Sequence, residues 1–164
     1  GFAAAYPQGM YIGTDPATQT FRDLMTLGGG LRAAQPDMAI ELHQMGSETF
    51  VPSDVDLVFT SPPYFDKEQY FDEPGQCWKM FPDIDDWAKG YLGPTMINAF
   101  KGLKDDGTMV LNVDNGLKDI TVACATLSGF RLVDELSLLR GKHAFAKKAG
   151  HAAKGSEPVL VFKK

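Results

Sequence analysis

The chain has little with which to build covalent cross-links or metal centres. It holds two cysteines, Cys77 and Cys124, and three histidines in 164 residues. The cysteines lie far apart without metal-ligand spacing, which excludes a disulfide scaffold and a zinc module and leaves two reduced thiols. No apolar run approaches the length of a membrane-spanning helix. The opening Gly1-Phe2-Ala3-Ala4-Ala5 is too short, and lacks the basic flank, of a signal peptide. Basic charge is also scarce: the net charge is −5. An acidic balance argues against strong non-specific nucleic-acid binding by the chain alone, although a local basic patch stays compatible with it. From these points a cytoplasmic protein that holds no metal is expected.

What is present is enough for one domain spanning 1–164, with 44% apolar residues to form its core. The most informative stretch is D-L-V-F-T-S-P-P-Y, residues 56–64. Residues 55–59 form an apolar run, the pattern of a buried parallel strand. Ser61-Pro62-Pro63-Tyr64 then ends it. Neither proline has an N–H for a ladder, and Pro62 drives Ser61 towards an extended conformation. A hydroxyl, a stiff kink and an aromatic ring are thereby set at the carboxyl end of a central strand, where open α/β sheets bind ligands. The plain alternative is a strand closed by a Pro-Pro turn with a buried tyrosine.

The flanking segments alternate between strand and helix. Residues 1–5 read as the last turn of a helix, and Met10 to Gly13 as a short strand ending at Thr14-Asp15-Pro16. Asp15 or Thr18 can cap the next helix; Asp15 can equally hold the hydroxyls of a ribose. Phe21, Leu24 and Met25 mark a helical face that Gly28-Gly29-Gly30 weakens or ends. A second strand covers residues 38–45, followed by Gly46-Ser47-Glu48. His43, on its alternate face, has no partner at metal spacing and reads as packed or solvated. Residues 65–86 form an acidic, aromatic loop with seven acids against Lys67 and Lys79. A loop of that length is functional or mobile, and its rings are expected to pack on the loop itself.

Asp85 or Asp86 can cap a following helix, which Pro94 kinks or restarts. Residues 104–107 read as a turn, 108–113 as a strand, 120–127 as a helix stopped by Ser128-Gly129, and 130–139 and 158–162 as the last two strands. Between these, the 140–157 loop carries Arg140, Lys142, Lys147, Lys148 and Lys154 and no acid before Glu157. Strand–helix alternation implies a mostly parallel sheet. The final two strands, with no helix between them, imply an antiparallel hairpin.

With S-P-P-Y, the T-D-P after the first strand and the terminal strand pair, the chain resembles S-adenosylmethionine (SAM)-dependent methyltransferases. More narrowly, it is similar to the amino DNA methyltransferases of prokaryotes and phages, which modify N4 of cytosine or N6 of adenine. The resemblance spans nearly the whole chain, and its specific part is the S-P-P-Y context. It implies a Rossmann-like α/β fold, SAM as cofactor and DNA as substrate. It makes Ser61, Pro62, Pro63 and Tyr64 the catalytic tetrapeptide, whose Ser form leans towards N4-cytosine. Asp15 matches the ribose-binding carboxylate, Ser47 or Glu48 the position near the adenine ring, and Thr60 joins this cofactor set. Lys142, Lys147 and Lys148 are candidates for DNA phosphate contact, against a plain solvated loop.

The sequence departs from the family at one place. The Gly-rich cofactor loop, and the first central strand before it, are not seen, and Gly28-Gly29-Gly30 follows a helix instead of opening one. The chain is therefore expected to be N-terminally truncated. A missing segment or second subunit would complete the site between the strands at Met10 and Val55. The other readings are an RNA or protein-glutamine methyltransferase, against which Ser61 counts, and a cofactor-incompetent binding module, which the absent loop favours.

Overall fold

A computed structural model of the chain describes residues 2–65, 67–69, 72–139 and 156–164. A short helix α1 (Phe2–Ala5) leads into β1 (Met10–Thr14), helix α2 (Thr18–Ala34) and β2 (Ala39–His43). Strand β3 (Val55–Thr60) carries the S-P-P-Y segment at its end. Helices α3 (Cys77–Met80) and α4 (Ile84–Trp87), a π-helical segment (Ala88–Leu92) and α5 (Gly93–Gly102) follow. Then come β4 (Leu103–Asn112), a 3-10 turn (Asn115–Leu117), α6 (Lys118–Leu127), β5 (Arg131–Leu139) and β6 (Ser156–Lys163). The fold is the Rossmann-like α/β arrangement expected.

The strands form two separate ladders. β1 pairs with β2 in parallel, and a four-stranded sheet runs β3-β4-β6-β5. β3 and β4 are parallel, whereas β6 is antiparallel to both β4 and β5, so the expected terminal hairpin is present. Neither β1 nor β3 has a second ladder partner among the described residues.

One face of the larger sheet carries the core. Met109, Leu111, Leu160 and Phe162 are fully buried against Trp87, Leu92 and Met96 of the helical stretch 84–102 and against Ala125 of α6. Each large apolar side chain so buried contributes about 1.5–3 kcal/mol relative to exposure. The opposite face is open. Leu57 is 50% exposed and Phe59 68%, and their register neighbours Thr108 and Val110 share that face. The apolar run 55–59 is a strand, as expected, but it is not a buried one: Val55 and Val58 are half-buried against the core, and Leu57 and Phe59 are exposed.

Three further expectations are corrected. α2 runs through Gly28-Gly29-Gly30 and ends at Ala34. Gly28 is buried, and a Cβ there would meet Leu42 Cδ1 at 3.3 Å and Ile40 Cγ2 at 3.6 Å, so the glycine lets α2 lie close on β2. The cap of α4 is Asp83, whose side chain accepts from the Asp86 N–H at 2.8 Å, not Asp85 or Asp86. Residues 104–107 belong to β4, where the register with β3 jumps between Val55–Leu103 and Leu57–Thr108. The jump is an irregularity of the ladder that places extra residues on β4 without ending the strand. Pro94 sits in the first turn of α5, directly after the π-helical segment and inside a helical stretch that runs without a break from 84 to 102.

Candidate active site

The ends of β1, β2 and β3 open on one cavity of about 470 Å³, a size within the usual range of ligand sites. Each wall is fixed locally. At the end of β1, the Asp15 N–H donates to the His43 carbonyl at 3.2 Å, and the Asp15 carboxylate accepts from the Ala17 N–H at 2.8 Å. Burial pushes the Asp15 carboxyl above its ordinary value. The Ala17 N–H opposes this, and the negative Glu73 nearby adds to it.

After β2, the chain turns tightly at Gly46-Ser47-Glu48, with the Thr49 N–H donating to the Gly46 carbonyl at 3.1 Å. Helix α5 holds this turn from the side. The hydroxyls of Ser47 and Thr95 are 2.9 Å apart, and Asn98 Nδ2 donates to the carbonyls of Ser47 at 3.3 Å and Glu48 at 2.9 Å. His43 packs on Phe50, with ring centroids 4.7 Å apart, and pairs with Glu41 at 2.6 Å, in keeping with its reading as a packed residue.

After β3, the two prolines carry the chain into a turn centred on Tyr64, where the Phe65 N–H donates to the Pro63 carbonyl at 2.8 Å. Phe65 takes a positive φ of 53°, a conformation that costs of order 1–3 kcal/mol in a non-glycine residue. The Glu68 carboxylate accepts the Tyr64 N–H at 3.0 Å, and the Tyr64 carbonyl accepts the Lys67 N–H at 3.0 Å. Ser61 is exposed, and its Oγ lies 3.4 Å from the Tyr64 hydroxyl. Burial is the main cause raising the Tyr64 phenol above its usual range, opposed by Ser61 and supported by the charge of Glu157.

Asp15, Ser47, Glu48, Thr60, Ser61 and Pro63 all line the cavity. Pro62 and Tyr64 do not: Pro62 is fully buried and the Tyr64 ring is only 8% exposed, packed in the core behind the wall. Lys142, Lys147 and Lys148 lie outside the described residues, as do Tyr70 and Phe71 of the acidic loop. No group of His, Cys, Asp and Glu suited to a metal ion occurs among the described residues.

Several lining residues carry no local sequence signal. Tyr91 comes from the π-helical segment, a feature frequent at functional sites. Desolvation strongly raises its phenol, with Ser47 as hydrogen-bond partner. Gly75, Gln76 and Cys77 come from the stretch expected to be loop through residue 86, which is corrected: it folds into α3 at Cys77–Met80 and enters α4 at Ile84. One signal was available: Tyr91, Thr95 and Asn98 repeat at helical spacing as a polar stripe on an apolar helix. None of the lining residues described is a lysine or arginine. An acidic, hydroxyl-bearing cavity fits a ligand with positive charge and a sugar diol, as SAM has.

The family model described as DNA methylase matches residues 55–164. No curated protein matches the chain by sequence. Among solved structures, a SAM-dependent methyltransferase from Methanosarcina mazei aligns over 99% of this chain and 85% of its own, with a TM-score of 0.59 and 10% identity. The antibiotic-resistance methyltransferase Kmr aligns over 98% of this chain and 78% of its own (TM-score 0.56, 11% identity). A TehB-like SAM-dependent methyltransferase from Corynebacterium glutamicum aligns over 93% and 67% (TM-score 0.50, 16% identity). The chain spans about half the length of other matched structures, 52–55% of them. At these identities the likeness establishes the fold.

Proposed function

The chain belongs to the DNA methylase family of N6/N4 methyltransferases, and from that membership we propose that it methylates an exocyclic amine of DNA, N4 of cytosine before N6 of adenine. The observation that carries this reading is the meeting on one cavity of Asp15 and Ser61, which are 46 residues apart and directly follow β1 and β3. The cavity is the proposed SAM site. Asp15 would hold the ribose hydroxyls, with Ser47, Glu48 and Thr60 along the rest of the ligand. SAM, when bound, supplies an electrophilic methyl group.

The protein's own work is on the amine. An exocyclic amine is a weak nucleophile because its lone pair is delocalised into the ring. Ser61 Oγ and the Pro62 carbonyl accept its two N–H bonds and draw the lone pair back onto nitrogen. The Pro-Pro kink restricts these acceptors to one local conformation; the entering base must uncover the buried Pro62, after which positioning carries most of the rate. The base must leave its stack to reach them. Tyr64 is the proposed platform, its ring uncovered as the base enters. Lys142, Lys147 and Lys148 are the proposed phosphate contacts.

The edges of β1 and β3 that have no ladder partner among the described residues bear on how the site is completed. We assign to them a strand from a further segment or a second subunit, which would join the two ladders and bring a cofactor loop to the cavity, since open edges are sites of strand addition. The second reading, a binding module without catalysis, draws on the same gap. Titration calorimetry with SAM separates them. Binding, followed by transfer of labelled methyl to DNA, supports the enzyme; a chain with no affinity for SAM, alone or with its completing partner, supports the module.

A further inference from the structure

α2 has no cap of its own. Its N-cap residue is Ala17, which offers no side-chain acceptor, and the Asp15 carboxylate is engaged by the Ala17 N–H. The next donors turn to Glu73, 55 residues downstream. The Thr18 N–H donates to Glu73 Oε2 at 3.0 Å and to Oε1 at 3.2 Å, and the Thr18 hydroxyl donates to Oε2 at 2.9 Å. Gln44 Nε2 donates to the same hydroxyl at 3.2 Å. Thr18 therefore ties together the exits of β1 and β2 and the acidic loop. Just past Glu73, Gly75, Gln76 and Cys77 line the same cavity as Asp15.

We propose that Glu73 is a positioning residue for the cofactor half of the site: by holding Thr18 it sets the 14–17 turn that carries Asp15 and lays the 73–77 stretch along the cavity wall. This rests on the reading of Asp15 as the ribose ligand. A mere helix cap would stabilise α2 and nothing more. Glu73 does something else as well, because its charge works against ionisation of Asp15. Among the described residues, the other titratable groups facing this cavity are Glu48 after β2, Tyr91 on the π-helical segment and Cys77 on α3, and none of them is basic. Ribose hydroxyls donate to an ionised carboxylate, so binding through Asp15 is lost as pH falls through its raised pKa. Removing the Glu73 charge moves that limb to lower pH.

The test compares the unaltered chain with Glu73→Gln, which keeps shape and an acceptor but no charge, Glu73→Ala, which removes both, and Asp15→Asn. In the ligand-free protein, carboxyl NMR follows Asp15 and hydrogen exchange follows the Thr18 amide. Calorimetry with SAM across acidic to neutral pH follows binding. Glu73→Ala is expected to speed exchange at Thr18 and weaken SAM binding about tenfold, the scale of one hydrogen bond to a charged group. Glu73→Gln is expected to lower the Asp15 titration and shift the acid limb of binding with it. Unchanged affinity and acid limb in both Glu73 variants, with binding abolished by Asp15→Asn, overturns the role of Glu73 and leaves Asp15 in place. If Asp15→Asn binds like the unaltered chain, or the unaltered chain binds no SAM even with its completing partner, the reading of Asp15 fails and the role of Glu73 with it.

Discussion

Ser47 and Thr95, 48 residues apart, face each other hydroxyl to hydroxyl at 2.9 Å, which locks the turn after β2 to the side of α5. Asn98 adds to that lock by donating to both carbonyls of the turn. Asn98→Ala leaves two part-buried carbonyls without this donor, a loss of about 1–3 kcal/mol. Denaturant unfolding is expected to show that loss. Calorimetry on the still-folded protein is expected to show weaker SAM binding, since Ser47 and Glu48 are no longer held.

Ser61 is exposed where it lines the cavity, and its Oγ makes only a long contact of 3.4 Å with the Tyr64 hydroxyl. Ser61→Ala is therefore expected to fold as stably as the unaltered protein and to bind SAM equally well. Its single-turnover methylation rate should fall at least about tenfold, the equivalent of about 1.4 kcal/mol of lost amine activation.

Tyr64 is different, because its ring is in the core. Tyr64→Ala removes that ring and is expected to cost about 3–5 kcal/mol of stability, measured by denaturant unfolding. Tyr64→Phe keeps the ring and is the informative variant for chemistry. It should retain SAM affinity and most turnover if the ring itself meets the base. Loss of turnover in Tyr64→Phe would transfer the role to the hydroxyl beside Ser61.

Asp15 makes stability and binding respond to pH in opposite directions. Its folded pKa is raised, so the folded state holds a proton that the unfolded state releases. Stability then falls as pH rises from the ordinary carboxylate value through the raised one. SAM binding, which needs the ionised form, rises over that same window. Asp15→Asn should remove this contribution from a series of unfolding curves across that window and abolish SAM binding.

Gly129 closes α6 with a φ of +107°, and a Cβ there would lie 2.8 Å from the Phe100 ring. That ring packs edge-on against Phe130 with centroids 5.1 Å apart. Gly129→Ala combines a disfavoured backbone conformation with a clash and is expected to lose roughly 2 kcal/mol, read as a lower Tm.

The parts of this molecule legible in the sequence are those that depend on near neighbours. Two prolines after an apolar run place Ser61 at a strand end, and a carboxylate after Ile12-Gly13-Thr14 places Asp15 likewise. The terminal hairpin follows from two strands with no helix between them. What escaped depends on contacts across the chain. Gly28 is tolerated inside α2 because Ile40 and Leu42 need its missing side chain. Leu57 and Phe59 look like core residues, yet no element described packs on their face. α2 is capped from Glu73, a residue no local rule connects to Thr18. Tyr91 reads as helix core, and the π-helical segment brings it to the cavity.

The most direct measurement is the identity of the methylated nucleoside. DNA incubated with the protein, SAM and any partner that completes the site is digested and analysed by mass spectrometry and chromatography, with Ser61→Ala in parallel. The expected result is N4-methylcytosine that appears with the unaltered protein and drops sharply with Ser61→Ala. Unmodified DNA from a protein that binds SAM, or a methylated base that Ser61→Ala leaves undiminished, would contradict it.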